Sequence, residues 1–111
     1  MDNKKDNAYY IKKIITDLAF VIRHTKELTK KELEENESLF DSVMFRLIQL
    51  IENIKKLSNN FKEQNSEIPW GKIIGFRNGI VHEYGKTDFA IVYETVTNDL
   101  DQLIKVFEAA L

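Results

Sequence analysis

Apolar residues recur along the chain at helical spacing, and they predict its elements before anything else is considered. Ile11, Ile14, Leu18 and Val21 follow one another at steps of three and four, with Ile15 and Ile22 widening the stripe and Lys12, Lys13 and Asp17 opposite it. That period predicts an amphipathic helix from about Asn7 to about His24. Thr29 followed by Glu32 is a capping-box pattern and predicts a short, mostly charged and exposed helix over Lys30 to Asn36. Phe40, Val43, Leu47, Leu50, Ile54 and Leu57 form the clearest seam, flanked by Ile48 and Ile51. They predict a long helix packed along most of its length. Ser58-Asn59-Asn60 is expected to fray it, and Gln64 to Glu67 reads as a loop. Pro69 suits the first turn of a further helix, where its missing N–H costs nothing. Trp70, Ile73, Ile74, Ile80 and Val81 mark that helix's stripe, and Gly85 is expected to end it. Gly75 and Gly79 interrupt the stripe and are expected to allow close packing against another backbone. A last helix starts at Thr87 or Asp88 and buries Val92, Val96, Leu100, Leu103 and Phe107.

No segment alternates with the period of a strand. The expectation is therefore all-α: an antiparallel bundle of four main helices with one short extra helix. Length and composition agree. The 111 residues suffice for one domain, taken as 1–111, in which roughly 65% of the unfolded surface can be buried. One Pro and four Gly favour long helices over turn-rich β structure. The chain has no Cys, which excludes disulfide and thiolate chemistry. No apolar run is long enough to cross a membrane, and the polar start lacks a signal-peptide core, so a cytoplasmic protein is expected. A net charge of −2 is poor for a nucleic-acid binder. Any RNA-binding field must be local or must arise by association.

The pattern breaks at one position. By spacing, residue 77 belongs on the apolar face of its helix, yet it is Arg. A guanidinium stays charged, so Arg77 must pair, reach solvent or face an interface. Glu52 and Asp41 are candidate partners. Tyr84 lies seven positions on and returns to nearly the same face of an ideal helix. His82 lies five positions on, a rotation of about 140°, so the two Cα atoms do not share a face unless the helix loosens near Gly79 or Gly85.

The residue types nevertheless suit phosphodiester chemistry. RNA is cleaved when its own 2′-hydroxyl attacks the adjacent phosphorus. His takes the hydroxyl proton near neutral pH, and Arg donates bidentately to the charge developing on the phosphoryl oxygens. Asn78 is placed to orient a phosphate or the imidazole. No metal is required. Spacing alone favours a structural role for Arg77 and His82. Tyr84 and Trp70, taken singly, are more often core aromatics. His24 suits a helix C-terminus and receives no function. The Lys pairs at 12–13, 30–31 and 55–56 read as solvated faces, with Lys55 and Lys56 candidates for phosphate. Two distant His without Cys give no metal-ligand spacing, and no Gly-rich phosphate loop is present.

The spacing Arg77-x4-His82-x-Tyr84 resembles the motif of HEPN-domain proteins. The stretches Ile68-Pro69-Trp70-Gly71-Lys72-Ile73-Ile74-Gly75-Phe76-Arg77-Asn78 and Asp41-Ser42-Val43-Met44-Phe45-Arg46-Leu47-Ile48-Gln49-Leu50-Ile51-Glu52 resemble its HepT-like branch. Residue 79 is Gly where that branch commonly has a larger side chain, and residue 83 is Glu where Asp is frequent. The resemblance implies a helical, homodimeric ribonuclease toxin partnered by an MNT-type nucleotidyltransferase antitoxin. It implies Arg77 and His82 as the catalytic pair, Asn78 and Lys72 as supporting RNA contacts, and Tyr84 as the residue the antitoxin adenylates. It implies no cofactor and no metal, and a dimer that sets two motifs in one cleft.

Three function classes follow. A metal-independent endoribonuclease toxin uses Arg77 and His82 in cleavage. A non-catalytic HEPN subunit binds nucleotide or substrate for a nucleotidyltransferase and leaves RNA whole. A purely structural scaffold predicts that Arg77→Ala is silent except in stability.

Overall fold

The computed structural model describes residues 6–82 and 93–111, and every described element is helical. Helix α1 spans Asn7–Thr25. Its first turn is closed by the Asp6 carboxylate, which accepts from the Tyr9 N–H at 3.1 Å. Ile11, Ile14, Leu18 and Val21 are buried as the period requires. Buried Thr25 extends the stripe because its hydroxyl donates to the Val21 carbonyl at 2.7 Å. Helix α2, Lys30–Glu35, carries the full capping box between Thr29 and Glu32. It is exposed except for Leu33, which anchors it to the core.

Helix α3, Glu37–Lys55, is the spine of the fold. Asn36 caps it by accepting from Leu39 N–H, and the seam from Phe40 to Ile54 is buried against α1. Leu57, just past its end, is buried too. Burying each such side chain stabilises by about 1.5–3 kcal/mol, so this seam dominates the fold's energetics.

The segment after α3 differs from expectation. Residues Asn59–Gln64 form a separate short helix, α4. Ser58, read in the sequence as part of a fraying end, is its N-cap and accepts from Phe61 N–H at 3.1 Å. Ser58 also exchanges two 3.0 Å hydrogen bonds with the Asn7 side chain, which ties this turn to the start of α1. The element exists because Phe61 has somewhere to go: its ring stacks on Phe107 and packs on Trp70. The described fold thus has two short helices where one was expected.

Helix α5 spans Trp70–His82. Pro69 stands just outside it, and its carbonyl accepts from Lys72 and Ile73 N–H at 3.0 and 3.1 Å. The Trp70 indole N–H donates to the Lys62 carbonyl at 3.1 Å, fixing the helix to α4. Trp70, Ile73, Ile74 and Phe76 pack, half-buried, on the core. A π-helical turn, Thr95–Asp99, leads into the last helix, α6, Leu100–Ala109. Leu100 and Phe107 are buried and Leu103 half-buried, as the stripe requires. The expected start of this helix and Val92 lie outside the described residues, as does the side chain of Val96. Among the described residues no helix is long and apolar enough to cross a membrane.

Candidate functional site

The site forms where α5 packs beside α3. Helix α5 must turn its apolar side to the core, and that carries residue 77 against α3 rather than into water. Arg77 resolves the conflict by an ion pair. Its Nε meets the Glu52 Oε2, and both atoms are shielded from solvent without a directed hydrogen bond. The side chains retain only 24% and 33% exposure, so the pair sits in a partly desolvated seam. Of the two partners the sequence offered, the fold selects Glu52, not Asp41.

The terminal nitrogens of the guanidinium reach the other way. Nη1 donates to the Asn78 Oδ1 at 3.3 Å, so Arg77 and Asn78 are brought together as expected. Asn78 is itself exposed. Lys55, one turn along α3, places its Nζ 3.7 Å from the same Glu52 oxygen. Two cations thus face one carboxylate. Lys56, the other member of that sequence pair, turns toward the Tyr10 ring instead, 5.6 Å from its centroid.

Lys72 does not join this cluster. It is exposed five residues before Arg77 and lies on the lip of a mainly apolar cleft between α3, α5 and α6. That cleft has a volume of about 500 Å³ and includes Leu47, Ile51, Ile73 and Leu103 in its walls.

His82 is the last residue of α5, and the helix is continuous from Trp70 to it. No described glycine has a positive φ, and the loosening at Gly79 considered from the sequence does not occur. On this unbroken helix His82 Cα stands about 140° round from Arg77 Cα and about 7.5 Å along the axis. The His82 side chain, Tyr84 and Gly85 lie outside the described part of the molecule. Gly75 and Gly79 are exposed, and a Cβ built on either meets nothing within 4 Å. The close backbone packing expected of them is therefore not made among the described residues.

Lys55 reads in the sequence as a solvated face and a candidate for phosphate, and only the approach of α5 to α3 reveals its position beside Arg77. One further residue was not singled out by sequence reasoning. Phe45 is an exposed aromatic on the face of α3 opposite its buried seam. A helical projection of the sequence would have flagged it.

Comparison with known proteins fixes the kinship of the chain. The chain is 29% identical over 101 residues to a protein named "Probable ribonuclease HepT" from Thermococcus cleftensis, covering 87% of this chain and 92% of the relative. It is 27% identical over 96 residues to a protein named "Putative RNase" from Caldanaerobacter subterraneus, covering 86% of each. A third relative, from Methanocaldococcus jannaschii, carries a two-part name, "Gamma-glutamylcyclotransferase and putative RNase"; the chain is 26% identical to it over 109 residues and spans 49% of its length. No solved structure matches the chain. The family model described as "Ribonuclease HepT-like" matches residues 14–110, nearly the whole of the described bundle. The chain therefore belongs to the HepT-like family of HEPN proteins.

Proposed function

We propose that this chain, as one domain over residues 1–111, is a metal-independent endoribonuclease and the toxin of a toxin–antitoxin pair. The observation that carries the reading is the Arg77 clasp. Glu52 holds the Nε edge of the guanidinium in a partly desolvated seam, while its terminal nitrogens lie beside exposed Asn78. The Nη1–Nη2 edge, which Glu52 does not occupy, is the one left to donate bidentately to a phosphoryl group. Membership of a family described by its ribonuclease supports the same substrate.

In this reading His82 takes the proton from an RNA 2′-hydroxyl. The 2′-oxygen bonds to the adjacent phosphorus and the bond to the 5′-oxygen breaks. The leaving oxygen collects a proton from solvent. Arg77 stabilises the charge that builds on the non-bridging oxygens, with Lys55 adding to the field. One helix does not present Arg77 and His82 on one side, so each catalytic centre combines Arg77 of one protomer with His82 of a second copy. A homodimer is thus part of the mechanism. An MNT-type nucleotidyltransferase acts as antitoxin by transferring adenylate to Tyr84, with pyrophosphate leaving. The added phosphate then competes with RNA for the guanidinium.

The test is cleavage of single-stranded RNA by the purified protein in EDTA. Wild type cuts, and His82→Ala binds RNA without cutting. Loss of activity in EDTA with recovery in Mg²⁺ contradicts the mechanism. Binding without cleavage by the wild type selects the non-catalytic subunit instead.

A further inference from the structure

The face of α3 that holds Glu52 also carries a large apolar group that the core does not use. Phe45 is 58% exposed. It lies seven residues before Glu52 in the same continuous helix, so it stands two turns away, about 10 Å, on the same face. Phe45 and Phe20 of α1 flank a shallow cavity of about 360 Å³, with Arg46, Asp41 and Ser42 completing its walls.

The walls of the cavity are tied to one another. The Arg46 guanidinium lies 4.1 Å from the Phe20 ring centroid and is anchored by the Asp17 carboxylate at 2.9 Å. The His24 imidazole packs against the same ring at 4.3 Å. Arg23 stands 6.0 Å from that ring, and both Arg23 and Lys26 are exposed at the end of α1. A further cation, Arg23, thus stands near the aromatic hollow.

We propose that this hollow is a nucleobase subsite, which receives a base of single-stranded RNA flanking the phosphodiester that Arg77 engages. The proposal rests on the ribonuclease reading above and adds a second contact to it. Bases of single-stranded RNA stack on phenyl and guanidinium planes; Phe45 is the exposed ring, and Arg46, held over Phe20, offers a guanidinium plane beside it. The Asp41 carboxylate disfavours a phosphate inside the hollow, so the base enters. Its phosphates are then left toward Arg23. An apolar side chain from a protein partner fits less well. It would strip water from Arg46 and Asp41 and return no hydrogen bond, whereas a base brings a polar edge. The separation from Glu52 is within reach of a nucleotide adjoining the one that is cut.

The test uses a single-stranded RNA oligonucleotide containing 2-aminopurine, whose fluorescence falls on stacking. It is titrated into His82→Ala protein so that it stays whole. Phe45→Ala in that background weakens binding about tenfold and abolishes the quenching, while Phe45→Trp retains both. The slope of affinity against salt stays the same, because no charge is removed. In the otherwise wild-type enzyme Phe45→Ala raises KM and leaves kcat unchanged. Unchanged RNA affinity and KM in Phe45→Ala overturn the subsite. If that variant also loses its dimer on sedimentation, the surface is a protein interface. A wild-type protein that neither binds nor cuts single-stranded RNA overturns the ribonuclease reading, and the subsite with it. That outcome is distinct from a working nuclease indifferent to residue 45.

Discussion

Removing Glu52 separates the two roles that the clasp at Arg77 combines. In Glu52→Ala the guanidinium Nε loses the oxygen it faces, while the Nη1 contact to Asn78 remains. The pair is neither fully exposed nor fully buried, at 24% and 33% residual exposure. Exposed pairs contribute about 0–1 kcal/mol and breaking a buried pair costs about 3–5 kcal/mol, which brackets this one at about 1–2 kcal/mol. For a chain of this size that lowers the thermal midpoint by about 4–9 °C. The effect on chemistry is larger. A guanidinium free to swing by an ångström loses about 100-fold in kcat, with a smaller change in KM. Glu52→Gln keeps an oxygen in place and retains kcat within about tenfold, because it preserves the geometry and loses only the charge. Calorimetry of the three proteins and single-turnover cleavage of one RNA oligonucleotide measure both effects. Glu52→Ala with the wild-type midpoint and wild-type kcat refutes the reasoning. A rise in kcat would mean that Glu52 sequesters Arg77 instead of positioning it.

Other outcomes follow from the same geometry. Leu47→Ala empties the centre of the α3 seam, where the side chain is 1% exposed, and costs about 2–5 kcal/mol in chemical denaturation; a loss under 1 kcal/mol would mean that the seam collapses to fill the gap. Gly75→Ala adds about 1 kcal/mol, because the position is helical, exposed and has nothing within 4 Å of the new Cβ. A lower thermal midpoint for that variant would show that another backbone packs there after all.

Much of the bundle is legible from periodicity and capping chemistry. The seam from Phe40 to Leu57 and the box at Thr29 and Glu32 state their structures locally, and local and tertiary preferences agree there. Helix α4 was not legible as a helix. Its six residues include two Asn, which are weak helix formers, and its stability comes from Phe61 packing on Trp70 and Phe107 across the fold. The π-turn at Thr95–Asp99 widens one turn of a helix, and a 3.6-residue pattern does not register that. Arg77 was legible as a charge in an apolar stripe, and Glu52 as one of two possible partners. The choice between Glu52 and Asp41 depends on where α5 crosses α3. That is a property of packing, and so is the approach of Lys55 to the same carboxylate.

The central claim is that Arg77 and His82 act together from different protomers. The direct measurement mixes Arg77→Ala with His82→Ala, each inactive alone, and lets the subunits exchange. In the mixed dimer one centre lacks both groups and the other keeps both. Recovery of about a quarter of wild-type cleavage is therefore expected in an equal mixture. A mixture that forms dimers yet stays inactive contradicts it.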